Sequence, residues 1–132
     1  VGWAEAAMMR RLYAAADLFV IPSLHEACGL TQMEAQRYGA VPVVRQCGGL
    51  ADTVVGHTID SVDSTGFVFK AASGSDFLEA LTEALTLLAT PAFVDLQHRC
   101  MDAPAGWDAA VEKYESLYRQ ALVQTNDEHV TQ

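Results

Sequence analysis

Apolar residues along the first half of the chain follow two alternating spacings. Residues 4–15 carry them at helical intervals among strong helix formers, which predicts a helix. Residues 17–21 are apolar without alternation, which is typical of a parallel strand buried on both faces. A helical pattern resumes over residues 29–38 and ends at Gly39, where a left-handed cap is expected. Helix and strand therefore alternate from the beginning of the chain.

The same spacings predict the rest of the chain. The predicted elements, in order, are a strand over 41–44, a tight loop over 48–50, a short helix from 51, a strand over 66–69, a helix capped within 73–76 and ending near 88, a helix over 92–101 and a helix over 106–123. This order predicts a doubly wound α/β domain that lacks its first strands. Ligands of such sheets lie at the carboxyl ends of the strands.

The length of 132 residues fits one domain or part of one. The chain opens within an element at Val1-Gly2-Trp3, so we expect a domain over residues 1–123 that is truncated on its N-terminal side. Residues 124–132 are polar, and we expect them to form a frayed tail. No apolar run is long enough to span a bilayer.

Charge and cysteine content narrow the possible partners. A net charge of −9 argues against nucleic acid and anionic membranes, since both require a basic surface. An anionic substrate would need local cations, and Arg37 and Arg45 are the nearest in sequence to the stretch described next. The three cysteines form an odd number without metal-ligand spacing, which indicates a reducing compartment and predicts no metal site.

Residues 26–34 are the most informative stretch for function. They follow a predicted buried strand and lead into a helix, and Glu26 lies in the loop between the two. The first turn of a helix has unpaired backbone N–H groups and the positive end of the helix dipole, which favour an anion. The stretch therefore predicts recognition of a phosphate-bearing ligand whose other parts meet Glu26.

Motifs between residues 14 and 69 give the chain a family resemblance. They are Ala16-Asp17, Pro22-Ser23, Glu26, residues 28–32, Arg37-Tyr38-Gly39, residues 41–45, residues 48–50, residues 52–54 and Gly66-Phe67. In this order they resemble the bacterial glycogen synthase and plant starch synthase family, which are retaining glucosyltransferases. The resemblance implies the Rossmann-like C-terminal domain, with a parallel sheet and flanking helices, of a two-domain (GT-B type) enzyme. Trp107, Tyr114 and residues 117–118 resemble the family's closing helix, and Trp107 and Tyr118 are expected to pack there.

The resemblance implies roles for the stretch that begins at Glu26. Glu26 matches the catalytic glutamate that contacts the donor glucose and stabilises charge developing at its anomeric carbon. Gly29, Leu30 and Thr31 match the helix start that binds the donor diphosphate, and Cys28 is a small residue that lets backbone approach the ligand. The alternative is a structural role without a ligand. Glu26 would then cap the following helix, and Gly29, Leu30 and Thr31 would form an ordinary helix cap.

Further residues have implied roles with open alternatives. Gly48 and Gly49 match a loop where backbone approaches the donor, or they form a plain tight turn. Trp3 matches an aromatic residue that stacks on the donor adenine, or it packs in the core. Glu34 is a candidate ribose ligand or an exposed helix residue, and Ala27 replaces a proline that is usual in the family.

The family implies a substrate pair and no metal or organic cofactor. ADP-glucose would donate glucose to the non-reducing end of an α-1,4-glucan. The missing N-terminal domain of the same enzyme would be a further partner. The location would be the plastid in a plant or alga and the cytoplasm in a bacterium. We expect the isolated chain to have little or no activity. The alternatives are a related transferase that uses UDP-glucose, favoured by Glu34 and Ala27, and a non-catalytic glucan-binding scaffold.

Overall fold

The computed structural model describes residues 5–58 and 60–130, without the side chains of residues 109 and 123–130. Helices and strands alternate up to β3 and only helices follow, as the sequence predicts. The elements are α1 (Ala6–Ala15), β1 (Leu18–Ile21), α2 (Thr31–Arg37), β2 (Val41–Arg45), α3 (Gly48–Thr53), β3 (Phe67–Phe69), α4 (Gly74–Leu88), α5 (Pro91–Asp102) and α6 (Asp108–Val130).

The three described strands form one parallel sheet in the order β1-β2-β3. Val43 of the central strand pairs with Val20 of β1 and with Phe67 of β3. Parallel neighbours require crossover connections, and α2 supplies the one between β1 and β2. The predicted α/β fold with a parallel sheet and flanking helices is confirmed.

The core lies on both faces of this sheet. On one face Val43 and Phe67 pack with Phe93 and Leu96, which come from α5. On the other face Val44 packs with residues of and after α3, among them Leu50. Burying a side chain of this kind contributes roughly 1.5–3 kcal/mol. Burial on both faces explains why the strand segments are apolar at successive positions.

Two predictions about helix starts differ from the structure. Gly48 and Gly49 are the first two residues of α3, so the predicted tight loop over 48–50 is wrong. Helix α2 begins at Thr31 rather than at residue 29, because Gly29 has a φ of 66°, which no α-helix accommodates. The predicted cap of α4 is confirmed, since the Ser73 hydroxyl accepts a hydrogen bond from the Asp76 N–H.

The last helix differs from the prediction in its packing. Trp107 and Tyr118 are 76% and 65% exposed, so the expectation that they pack against the domain is wrong for the described residues. The reason is that α6 packs only sparsely on the described sheet and helices. The helix also continues past residue 123 to Val130, and the fraying predicted for residues 124–132 stays a prediction.

Within the described residues, no single helix is long and apolar enough to cross a membrane. Helices α4 and α5 meet such a criterion of length and composition only together, as a pair bent by 108°.

Candidate functional site

The loop between β1 and α2 is fastened to the end of β2. Arg45 donates from Nε to the Ser23 carbonyl over 2.8 Å and from a terminal nitrogen to the Leu24 carbonyl. Cys47 Sγ also donates to the Ser23 carbonyl, at 3.3 Å. The Arg45 guanidinium therefore holds the loop that precedes Glu26. Both strands end at the carboxyl edge of the sheet, where ligands of this fold class bind.

The Glu26–Cys28 loop and the start of α3 are in direct contact. A β-carbon at Gly48 would lie 1.8 Å from the Glu26 carbonyl oxygen, and one at Gly49 would lie 1.7 Å from the Cys28 carbonyl oxygen. The Gly49 N–H donates to the Glu26 carbonyl oxygen over 3.1 Å. Any other residue would collide with this loop, so glycine is required at both positions. The structure therefore brings together the two segments that sequence assigned to one site.

The Glu26 carboxylate is half-buried and oriented by its own loop. Its Oε1 accepts a hydrogen bond from the Gly29 N–H at 3.2 Å. Gly29 can turn the chain there because its φ of 66° lies in the left-handed region. Gly29 precedes Leu30, the N-cap residue of α2, so this contact lies within the loop and is not the helix cap that sequence left as the alternative role for Glu26. It also fixes the carboxylate beside the start of α2.

The start of α2 is accessible and lacks a side-chain cap. The N-cap position is Leu30, and no side chain among the described residues bonds to the first-turn N–H groups as a cap. Cys28, Leu30 and Thr31 are all exposed, whereas Gly29 is buried. Backbone N–H groups of an uncapped first turn are free to donate hydrogen bonds to an anion that binds from solvent.

A groove of about 510 Å³ lies between α1 and α2. The residues that line it include Arg10, Tyr13, Thr31, Glu34 and Arg37. Apolar and further aromatic residues line the rest. Burial raises the pKa of Tyr13, and so do a hydrogen bond to Glu34 and the negative charge of that carboxylate. Glu34 therefore lies beside Tyr13 in the groove, although it is an exposed helix residue, as the alternative to a ribose contact expected.

The groove borders the start of α2, since Thr31 belongs to both.

Arg37 of the groove also donates a hydrogen bond to the Met101 carbonyl, which connects α2 to α5. Trp3, the other residue that sequence proposed for the nucleoside, lies outside the described residues.

Sequence reasoning missed two groups of residues at this site. Ala6, Arg10 and Tyr13 line the groove from α1. Their spacing of four and three places them on one helix face, which was a usable signal. Gln32 is fully buried between α2 and α3. Gln32 belongs to the motif of residues 28–32, but sequence assigned it no role, because a glutamine on a short helix is ordinarily solvated.

Within the described residues, no group of three or more His, Cys, Asp or Glu side chains is placed to hold a metal ion.

Comparison with known proteins relates the chain to glucan synthases. It is 43% identical over 114 residues to the glycogen synthase of Pseudomonas fluorescens. The aligned region covers 86% of this chain and 21% of that protein. It is 41% identical over 126 residues to the glycogen synthase of Edwardsiella ictaluri, which covers 92% of this chain and 26% of that protein. The chain thus spans about a quarter of the length of these relatives.

Solved structures show the same relationship. The catalytic domain of starch synthase IV from Arabidopsis thaliana, bound to ADP and acarbose, superposes with a TM-score of 0.79 at 35% identity. That match covers 93% of this chain and 26% of the plant protein. The sucrose-phosphate synthase of Thermosynechococcus elongatus superposes with a TM-score of 0.63 at 26% identity, over 94% of this chain and 30% of that protein.

A family model described as glycosyl transferases group 1 matches residues 1–100, which include the Glu26 loop, α2 and the glycine pair of α3. With its parallel sheet, its glycogen synthase relatives and its starch synthase structural match, the chain belongs to the group 1 glycosyl transferases and is glycogen synthase-like within them.

Proposed function

We propose that the chain is the donor-binding part of a starch or glycogen synthase. The whole enzyme would transfer glucose from ADP-glucose to the non-reducing end of an α-1,4-glucan with retention of configuration. The observation that carries the proposal is the contact between the Glu26 loop and Gly48-Gly49 at the carboxyl edge of the sheet. The ADP and acarbose bound to the plant starch synthase support this choice of substrates.

The donor diphosphate would bind at the start of α2. The exposed first turn has no side-chain cap among the described residues, so its N–H groups are available to phosphate oxygens. Thr31 adds an exposed hydroxyl at the first helical position. Cys28 and Gly29 form the approach to this turn. Their proposed role is to let the diphosphate come close to the backbone.

Glu26 would act on the glucose. As the bond between the anomeric carbon and the diphosphate breaks, the bonding electrons leave with the diphosphate and the carbon becomes positive. A carboxylate held beside it stabilises that charge without forming a covalent bond. The hydrogen bond from the Gly29 N–H orients the carboxylate. It also attaches the carboxylate to residues 29–31, the proposed diphosphate turn. Sugar and phosphate groups would therefore be bound by one connected segment.

The groove between α1 and α2 would bind the nucleoside. Glu34 could accept hydrogen bonds from ribose hydroxyls, and it lies beside Tyr13 in this groove. Arg10 and Arg37 line the same groove and lower the electrostatic cost of bringing a diphosphate to a chain with a net charge of −9. Trp3 would stack on the base.

Isothermal titration calorimetry of the chain with ADP and with ADP-glucose tests the proposal. We expect both to bind, with Glu26→Gln weakening ADP-glucose about tenfold and leaving ADP within about twofold, because a charge-assisted bond to the sugar is lost. Glu79→Gln on α4 is the matched control and should change neither affinity. Absence of ADP binding by the unsubstituted chain would exclude the proposed donor site.

The nucleotide preference has an alternative. Glu34 and Ala27 favour a related retaining transferase that uses UDP-glucose. Titration with UDP-glucose under the same conditions separates the two, since tighter binding of UDP-glucose than of ADP-glucose would assign the chain to that alternative.

Glucan binding without transfer is a second candidate function, favoured by the exposure of aromatic residues on and before α6. Trp107, Tyr114 and Tyr118 are each more than half exposed, and the two tyrosine rings stack with centroids 6.5 Å apart. Exposed aromatic rings offer flat faces to the C–H groups of glucose units. Calorimetry with maltooligosaccharides discriminates, because firm glucan binding without nucleotide binding would favour the scaffold.

A further inference from the structure

Gln32 is a fully buried polar side chain that bridges α2 and α3. Its Nε2 donates to the Gly29 carbonyl and, over 2.8 Å, to Thr53 Oγ1. An amide nitrogen has only two hydrogens, so both are used, and the two partners fix which way the amide points. Its Oε1 is buried and has no hydrogen-bond partner among the described residues.

The bonds of Gln32 belong to a closed circuit through both glycine segments. Thr53 Oγ1 donates to the Gly49 carbonyl at 2.6 Å, and the Gly49 N–H donates to the Glu26 carbonyl at 3.1 Å. The circuit closes where the Gly29 N–H donates to Glu26 Oε1 at 3.2 Å. A displacement of α3 relative to α2 would therefore be transmitted to both ends of the Glu26 loop.

We propose that Gln32 and Thr53 are positioning residues that set the spacing between the Glu26 carboxylate and the diphosphate turn. The inference rests on the proposed function, because it assigns a purpose to the geometry of that donor site. Neither residue needs to touch the donor. Gln32 acts through the Gly29 carbonyl, and Thr53 acts through Gly49.

The unpaired Oε1 distinguishes positioning from simple stabilisation. A buried acceptor without a partner is unfavourable, and native structures contain few of them. An apolar side chain of similar shape would avoid that cost. The amide at this position is therefore best explained by the two bonds that Nε2 donates, one to the Gly29 turn and one to Thr53, which in turn bonds to Gly49 in the first turn of α3.

Thr53→Val is the direct test, because valine keeps the shape of threonine and removes only the hydroxyl that accepts from Gln32. We expect ADP affinity to fall about tenfold, because the variant loses both the bond from Gln32 and the bond to the Gly49 carbonyl. Thr53→Ser keeps the hydroxyl and should restore affinity to within about twofold. Gln32→Met breaks the circuit at Gln32 instead of Thr53. It should weaken the affinity for ADP about tenfold or more, since both bonds that Nε2 donates are lost.

Thr82→Val is the matched control. Thr82 makes the same bond to the carbonyl four residues earlier, at 2.7 Å, but lies exposed on α4 outside the circuit. Each variant is measured by calorimetry with ADP, by thermal unfolding and by hydrogen exchange at the Gly29 and Gly49 amides. We expect these two amides to exchange faster in Thr53→Val and Gln32→Met, while the Ser variant and the control keep the native rates.

The outcomes separate this inference from the proposed function. If the unsubstituted chain does not bind ADP, the proposed function fails and the positioning role fails with it. If it binds ADP and Thr53→Val binds equally well with unchanged exchange at both glycines, only the positioning role is overturned. A loss of affinity that merely parallels a loss of thermal stability, without rescue by serine, also overturns it in favour of a structural role.

Discussion

Gly49 lies against Cys28 so closely that a β-carbon at position 49 would sit 1.7 Å from the Cys28 carbonyl oxygen. This distance is far below any van der Waals contact, and the neighbouring atoms are backbone, which cannot rotate away as a side chain can. The glycine pair therefore determines how closely the Glu26 loop approaches α3. Its first role is to permit contact within the protein, and this contact shapes the surface that a donor would meet.

Gly49→Ala is expected to destabilise the fold by about 3 kcal/mol, the upper end of typical overpacking costs. Thermal or urea unfolding measures the effect. Gly74→Ala is the matched control, because Gly74 also lies at a helix start but has nothing within 4 Å of the added carbon. That variant should be neutral or slightly stabilised. Equal stability of the two variants would contradict the observed contact.

The cysteines should differ in their reaction with a thiol reagent at pH 8. Cys28 is exposed, whereas Cys100 is buried and donates to the Thr65 carbonyl over 3.1 Å. Burial raises the pKa of the Cys100 thiol to about 12, so almost no thiolate forms at that pH. Cys28 should react rapidly and Cys100 only after unfolding.

ADP should protect Cys28 if the diphosphate lies at the start of α2. The rate of alkylation of Cys28, followed by mass spectrometry of the modified peptide, should fall by about tenfold at an ADP concentration of about ten times Kd, because only about one site in eleven is then free. Cys47, which is half-buried, provides an internal comparison. Unchanged alkylation of Cys28 at saturating ADP would place the nucleotide elsewhere.

The cap of α4 predicts a pH dependence. Hydrogen bonds from the Ser73 hydroxyl and the Ala71 N–H lower the pKa of Asp76 below its usual value. Its stabilising contribution is therefore fully present above about pH 4 and is lost as the pH falls through the lower pKa of the folded state. Asp76→Asn should unfold at a lower temperature than the native chain at pH 7, and the two curves should converge in acid. A difference that persists below the folded-state pKa would contradict this account.

The exposed edge of the sheet predicts self-association. β1 has no neighbour on its outer side among the described residues, and Val20 in its middle is 40% exposed. An apolar edge strand can pair with another chain. Val20→Lys should reduce aggregation, measured by light scattering at rising concentration, and should leave the free energy of unfolding within about 1 kcal/mol. Aggregation unchanged by the lysine would show that another surface is responsible.

The isolated chain should show little or no glucan elongation. It spans about a quarter of the length of its glycogen synthase relatives, and its described donor groove contains only Arg10 and Arg37 as cationic residues. The departing diphosphate needs neighbouring positive charge, and the transferred glucose needs a bound acceptor hydroxyl with which to form the new bond. Incorporation of labelled glucose from ADP-glucose into maltooligosaccharide measures this directly. Elongation by the purified chain well above a no-protein control would contradict the prediction.

The local elements could be predicted because each depends on neighbours in the chain. Unbroken apolar runs predicted the parallel strands, and Ser73 and Asp76 marked the start of α4. The errors lie where distant segments meet. Gly48 and Gly49 resemble a turn locally, but the Glu26 loop packs against them and they begin a helix. Trp107 and Tyr118 resemble core residues by type, but both are exposed, and Tyr118 stacks on Tyr114 of its own helix rather than on the sheet.

The candidate site divides in the same way. Sequence by itself determined the α/β alternation, the loop position of Glu26, the presence of a helix after that loop and the family resemblance, since order and spacing along the chain encode all four. Only the tertiary structure decided that the Glu26 loop rests on the glycine pair, that Glu34 faces Tyr13, and that Gln32 joins α2 to α3. These relationships depend on the packing of segments remote in sequence, where sterics and hydrogen bonding act across space and no local periodicity records them.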